Sequence, residues 1–208
     1  SLIKNYETPF FIFFPKIMKK KIDQLNISLK KNYPNSQLTY SVKTNYLPYV
    51  IKKAHSFGVY PECISGFEIL IIKKLNLLNK NVVINGPLKS EDDLIKISKL
   101  GCKINIDNFT ELEIVQKVAK KLNLILEIGI RIYTKLEKKT WSRFGFNLDN
   151  QEAIKVAKKI KNKMPNLKLV GLHTHIGTNL INLKIYQSAS KKISEFGRLL
   201  EKENLIKL

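Results

Sequence analysis

Two hydrophobic rhythms alternate along the chain. Short apolar runs, several with period-two character, give way to longer stretches with apolar positions every three or four residues. The run "LTYSVK" (38–43) precedes the helical pattern "LPYVIKKAHSFG" (47–58), and "VYPECI" (59–64) precedes "GFEILIIKKLNLL" (66–78). "VVING" (82–86) is followed by "EDDLIKISKLG" (91–101), and "KINID" (103–107) by "TELEIVQKVAKKL" (110–122). "LILEIGIRI" (124–132) leads through a polar loop to "NQEAIKVAKKIKN" (150–162), and "LKLVGLHTHI" (167–176) leads to "LKIYQSASKKISEFGRLLEKE" (183–203). Ahead of these units, "ETPFFIFF" (7–14) reads as a strand and "PKIMKKKIDQLNISLKKNYP" (15–34) as a surface helix with Ile17, Ile22, Leu25 and Leu29 on one face. The closing "LIKL" (205–208) reads as the start of a further strand.

The punctuation agrees with this pattern. "SGFE", "SEDD" and "NFTE" each place a capping residue three positions before an acidic one, directly after a predicted strand. Gly58 and Gly101 stand where a helix C-terminal glycine belongs. Strict strand–helix alternation with short loops predicts an α/β fold with a parallel sheet. The first strand–helix loop lacks the glycine pattern of a dinucleotide fold. The fold expected is a TIM-type (β/α)8 barrel, incomplete at about six of eight βα units and open along two strand edges.

Composition narrows the function classes. A chain of 208 residues builds one core. The net charge of +20 invites a nucleic-acid reading, but only Arg131, Arg143 and Arg198 are arginine, and the lysines are spread along the chain as solvated surface. RNA binding would need clustered arginine and exposed aromatics, so no nucleic-acid partner is expected. No apolar run reaches bilayer length, so no membrane partner is expected either. Cys63 and Cys102 have neither metal nor redox spacing, which fits a reducing, cytoplasmic setting.

Chemistry-bearing residues recur at the predicted strand ends: Lys43, Glu62, Asn85, Asp107, Arg131 and His175. In a (β/α)8 barrel these ends share one face, where active sites sit. Strand parity puts Tyr40 and Val42 toward the helices, and Thr39, Ser41 and Lys43 toward the barrel mouth. A lysine desolvated there becomes available for a Schiff base, although a snorkelling strand-end lysine has the same pattern. His173 and His175 share a strand face. Such a pair suits a metal, but the chain has three histidines in all and no identifiable carboxylate ligands, so no metal is expected. An imidazole can also lie flat on an aromatic cofactor, and Gly177 and Thr178 add backbone and hydroxyl donors beside it. Glu62 completes a charge cluster with Lys43 and Arg131. Glu68 forms a capping box with Ser65 as readily as it lines a site.

The ordered blocks "TPFFIF", "YSVKTN", "PECISGFEI", "NGPLKS", "INIDNFTEL", "IRI", "SRFGF" and "GLHTHIGTN" resemble the fold-type III pyridoxal-phosphate decarboxylases over nearly the whole chain. "SGFE", "NGPLKS" and "HTHIGT" are most similar to the diaminopimelate branch of that family. The resemblance implies an alanine racemase-like barrel followed by a β-domain, with residues 1–14 as an N-terminal strand segment that would pair with that β-domain and 15–208 as a partial barrel. It implies pyridoxal 5'-phosphate as cofactor, bonded to Lys43, with His175 stacked on its ring and Gly177 and Thr178 near its phosphate. Glu62, Glu68 and Arg131 would line the pocket as catalytic residues, with His173 behind them. Arg143 stands where the family usually has lysine. The implied reaction is decarboxylation of an amino acid, meso-diaminopimelate to L-lysine first and an ornithine, arginine or carboxynorspermidine type second, in a homodimer. The family's glycine-rich phosphate loop, Glu-Pro-Gly-Arg block and β-domain have no counterpart in these residues, so the chain is expected to be an N-terminal part, inactive alone. A non-catalytic pyridoxal-phosphate barrel shares the lysine but lacks the "HTHIGT" and "SRFGF" blocks.

Overall fold

The structure, a computed structural model, describes residues 4–136 and 143–206. Helix α1 (Pro15–Asn32) leads into strand β1 (Thr39–Ser41), helix α2 (Pro48–Ser56), β2 (Tyr60–Cys63) and α3 (Gly66–Lys74). Then come β3 (Val83–Ile84), α4 (Glu91–Lys99), β4 (Lys103–Ile106) and α5 (Phe109–Lys121). The chain continues through β5 (Leu126–Tyr133), the short β6 (Phe146–Asn147), α6 (Glu152–Lys163), β7 (Leu167–His173) and α7 (Leu183–Lys202). β1 to β5 pair in sequence order, all parallel, and β7 pairs with β5 on its other side. β6 pairs in parallel with the C-terminal end of β5 and lies within the stretch that the sequence pattern assigns to a loop.

Period two sorts the side chains. Cys63, Ile84, Ile106, Ile128 and Ile130 point to one face of the sheet and are fully buried with the helix residues Ile72, Leu94, Leu112, Val115 and Val156. Each such side chain contributes roughly 1.5–3 kcal/mol by leaving water. The other face carries Glu62, Asn105, Glu127, Gly129 and Arg131, and part of it encloses a cavity of about 470 Å³. The sheet is not closed into a barrel: among the described residues β1 pairs only with β2, and β7 only with β5.

The caps form as their chemistry dictates. Ser65, Ser90 and Asn108 accept from the backbone N–H of Glu68, Asp93 and Glu111, respectively. Gly58 and Gly101 follow α2 and α4 with φ of +82° and +67°, a region costly for residues with a β-carbon.

Three expectations change. Residues 4–14 form no strand, because no described strand offers them hydrogen bonds, and Phe11 is fully exposed; residues 1–3 lie outside the described set. Of the apolar face proposed for α1 only Ile22 is buried, against Ala54 and Val59, while Ile17, Leu25 and Leu29 are exposed. With β1 an open edge, α1 packs against α2. Leu205 and Ile206 form no strand, and residues 207–208 lie outside the described set. Among the described residues no helix is long and apolar enough to cross a membrane.

Candidate active site

The strand ends gather their polar residues on the C-terminal side of the sheet. β1 ends one turn earlier than its hydrophobic run suggests. Val42–Thr44 tightens into a 3-10 turn, with Val42 fully buried and Thr44 Oγ1 donating to the Ser41 carbonyl at 2.7 Å. Lys43 projects from this turn and is exposed, so the burial expected at a strand end in a closed mouth is missing. The open sheet edge beside β1 is the physical reason. Tyr40 Oη and the Asn45 side chain hold the backbone that follows, by bonds of 2.9 Å to the Asn45 carbonyl and 3.1 Å from the Leu47 N–H.

Beside this turn lies Glu62, half-buried on β2, whose neighbour in register is Ser41. Its Oε1 accepts from Asn85 Nδ2 at 2.9 Å, and Asn85 Oδ1 accepts from Asn105 Nδ2 at 2.7 Å. Two amides on successive strand ends therefore orient one carboxylate.

A second polar group sits deeper. Lys89, buried in the β3–α4 loop, directs its Nζ to the Gly86 and Asn105 carbonyls, both at 2.9 Å, and to Glu111 Oε1 at 2.5 Å. Burial pulls Lys89 below and Glu111 above their ordinary pKa values, and their mutual attraction opposes both shifts. Glu111 Oε2 accepts from the Asp107 N–H at 2.7 Å. Asp107 Oδ1 in turn accepts from Arg131 Nη1 at 2.8 Å, and the Arg131 guanidinium lies 5.1 Å from the Phe144 ring centre.

β7 brings the histidines in. His173 is in register with Arg131, and its Nδ1 is buried with no hydrogen-bond partner among the described residues. Burial, reinforced by Arg131, His175, Lys89 and Lys43, lowers its pKa to about 4. His175 is more exposed; partial burial first, then Lys43 and Arg131, lower its pKa, with Glu62 acting the other way. These mutual effects place Lys43, Glu62, Arg131, His173 and His175 in one electrostatic neighbourhood. Gly177, at φ +140°, and the exposed Thr178 follow in the loop to α7.

Glu68 is an expected site residue, and Arg143 is one whose role the sequence leaves open. Glu68 is buried at the start of α3, with Oε2 accepting from the Ile64 N–H and Oε1 from Ser65 Oγ, both at 3.0 Å. Both carboxylate oxygens serve the cap, the alternative that the shared spacing left open. Arg143 is exposed ahead of β6, and its neighbour Ser142 lies outside the described residues. Asn105, Lys89 and Glu111 are the members that the strand-end pattern misses. Lys89 carried one available clue, its position directly before the Ser90 cap in a strand–helix loop. Among the described residues no three His, Cys, Asp or Glu side chains converge as a metal site. A primary amine with a low-pKa imidazole, a carboxylate and a guanidinium around it suits an aldehyde cofactor bearing an anionic group.

Residues 19–204 match the family described as pyridoxal-dependent decarboxylase, pyridoxal binding domain. The chain is 26% identical over 201 residues to the diaminopimelate decarboxylase of Aquifex aeolicus, an alignment covering 93% of this chain and 47% of that protein. It is 25% identical to the diaminopimelate decarboxylase of Bacteroides thetaiotaomicron, covering 98% of this chain and 54% of the relative. The crystal structure of diaminopimelate decarboxylase from M. jannaschii in complex with L-lysine superposes with a TM-score of 0.89 at 22% identity, covering 98% of this chain and 50% of that one. The chain thus spans about half the length of the curated relatives it matches.

Proposed function

The chain belongs to the pyridoxal-dependent decarboxylases through their pyridoxal-binding domain, and on that premise we propose that it holds pyridoxal phosphate on Lys43 and serves amino-acid decarboxylation. The observation that carries this reading is the exposed Lys43 amine on a hydrogen-bonded turn, within electrostatic reach of His175. When bound, pyridoxal phosphate supplies the electron sink for the carbanion left by loss of the α-carboxylate as CO2. Lys43 Nζ would be the nucleophile that holds the cofactor's aldehyde carbon, and its amine would be available to take up and give back a proton there. His175, kept neutral by burial and nearby cations, can lie against an aromatic ring without adding charge. Glu62 is aimed by Asn85, and Arg131 presents a permanent cation to a carboxylate or phosphate. Gly177 and Thr178 offer an N–H and a hydroxyl to the phosphate.

Both named relatives decarboxylate diaminopimelate, which supports meso-diaminopimelate as substrate and L-lysine as product, ahead of an ornithine-, arginine- or carboxynorspermidine-type substrate. The open sheet and the relatives' double length support a chain that captures cofactor but turns over little on its own. Exposed Tyr46, Tyr49 and Phe67, with Tyr46 against Phe67 and Tyr49 against the half-buried Phe13, support the family's homodimer. The test is borohydride reduction in the presence of pyridoxal phosphate, followed by peptide mapping. Label on Lys43, lost in Lys43→Ala, supports the reading; label on another lysine refutes it.

A further inference from the structure

Three successive strand–helix loops share one local design, and their differences are informative. In each, the N-cap of the helix is followed three residues later by an acidic side chain: Ser65 and Glu68, Ser90 and Asp93, Asn108 and Glu111. At α3 the box is self-contained, because Glu68 uses one oxygen for the Ile64 N–H and the other for Ser65 Oγ. At α5 only half is spent locally. Glu111 Oε2 takes the Asp107 N–H, and Oε1 takes Lys89 Nζ from the neighbouring loop. Lys89 is therefore not required for capping, since α3 manages without such a partner. All three of its donors are used, on Gly86, Asn105 and Glu111, which ties the β3–α4 loop, the end of β4 and the start of α5 together. The residue fixed by this tie is Asp107, which grips Arg131.

We infer that Lys89 and Glu111 are positioning residues for Arg131: their buried ion pair fixes the backbone of Asp107, and Asp107 holds the guanidinium at the mouth. The inference rests on the proposed function only for the task it gives Arg131.

The experiment follows the His175 imidazole by NMR pH titration in the 208-residue chain without cofactor. Lys43, Arg131, Glu62 and the neighbouring His173 act on His175, whereas Lys89 and Glu111 form a buried ion pair whose opposite charges offset each other. Arg131→Met is expected to raise the His175 midpoint by removing a nearby cation. The double variant Lys89→Met/Glu111→Gln is expected to raise it as well, and to add nothing further in the Arg131→Met background. Should that double variant fail to fold, Asp107→Asn substitutes for it. Losing the aspartate charge alone lowers the midpoint, so a rise reports displacement of Arg131. A folded double variant, or Asp107→Asn, with the midpoint unmoved or lowered overturns the inference, as does an Arg131→Met variant that leaves the midpoint in place. Borohydride trapping run in parallel separates the two questions. Failure of the unaltered chain to be labelled on Lys43 sinks the cofactor reading and leaves the His175 result standing.

Discussion

The side-chain amide of Asn105 on β4 occupies the space that a β-carbon at Gly129 on β5 would need. A methyl group there would fall well inside contact distance of Asn105 Oδ1 and 3.3 Å from the Gly171 carbonyl. The pair is in register across the sheet, and the amide is the far end of the chain that orients Glu62. Gly129→Ala is therefore expected to cost about 1–3 kcal/mol by overpacking. Asn105→Ala in the same chain should return part of that loss. Urea denaturation midpoints of the two single variants and the double check it, and strict additivity would show that the two sites do not meet.

The Lys89–Glu111 pair makes a sharper stability prediction. Both side chains are nearly inaccessible. Lys89→Met leaves a buried carboxylate without its partner and is expected to lose about 3–5 kcal/mol. Lys89→Met/Glu111→Gln removes both charges and should lose clearly less than the single variant. Denaturant unfolding of both checks the order, and a double variant weaker than the single one would contradict it.

Glu62 and Glu68 are six residues apart, and their environments assign them opposite duties. Glu68→Ala strips an acceptor from the Ile64 N–H and Ser65 Oγ, at an expected cost of about 1–2 kcal/mol, with cofactor trapping on Lys43 unchanged. Glu62→Gln should instead alter trapping while leaving the thermal midpoint within a few degrees. Parallel melting and trapping of the two variants distinguish them.

These contrasts mark how far the amino-acid pattern reaches. The fold is legible because each unit repeats a local rule, a period-two run followed by a capped helix, and local rules need no tertiary information. Arg131 and the histidines are legible because rare residue types sit at strand ends. Lys89 is hidden among abundant lysines, and its partner Glu111 lies 22 residues away on another unit, so nothing local marks the bond. Glu68 is ambiguous in the pattern, since a capping box and a pocket carboxylate share one spacing. The segment "ETPFFIFF" has strand composition but no strand beside it, and composition supplies no partner.

His173 gives the site a defined response to pH. It lies in register with Arg131 at the end of β7, its Nδ1 buried and without a hydrogen-bond partner among the described residues, and burial together with Arg131, His175, Lys89 and Lys43 lowers its pKa from 6.5 to about 4. The folded-state value lies below the unfolded one, so the native protein favours the neutral imidazole. Above the unfolded value neither state binds the proton, and the contribution to stability is fully present. As pH falls below it, the unfolded chain takes up a proton that the native chain refuses, and stability drops until the folded value is passed. The loss between pH 6.5 and about 4 amounts to at most about 3 kcal/mol. His173→Phe removes the titrating group while keeping an aromatic ring in place. Every other ionisable group is the same in both proteins, so the comparison isolates the imidazole. From pH 7 to pH 4.5 the urea midpoint of the unaltered chain should fall further than that of His173→Phe, whereas equal falls would falsify the assignment.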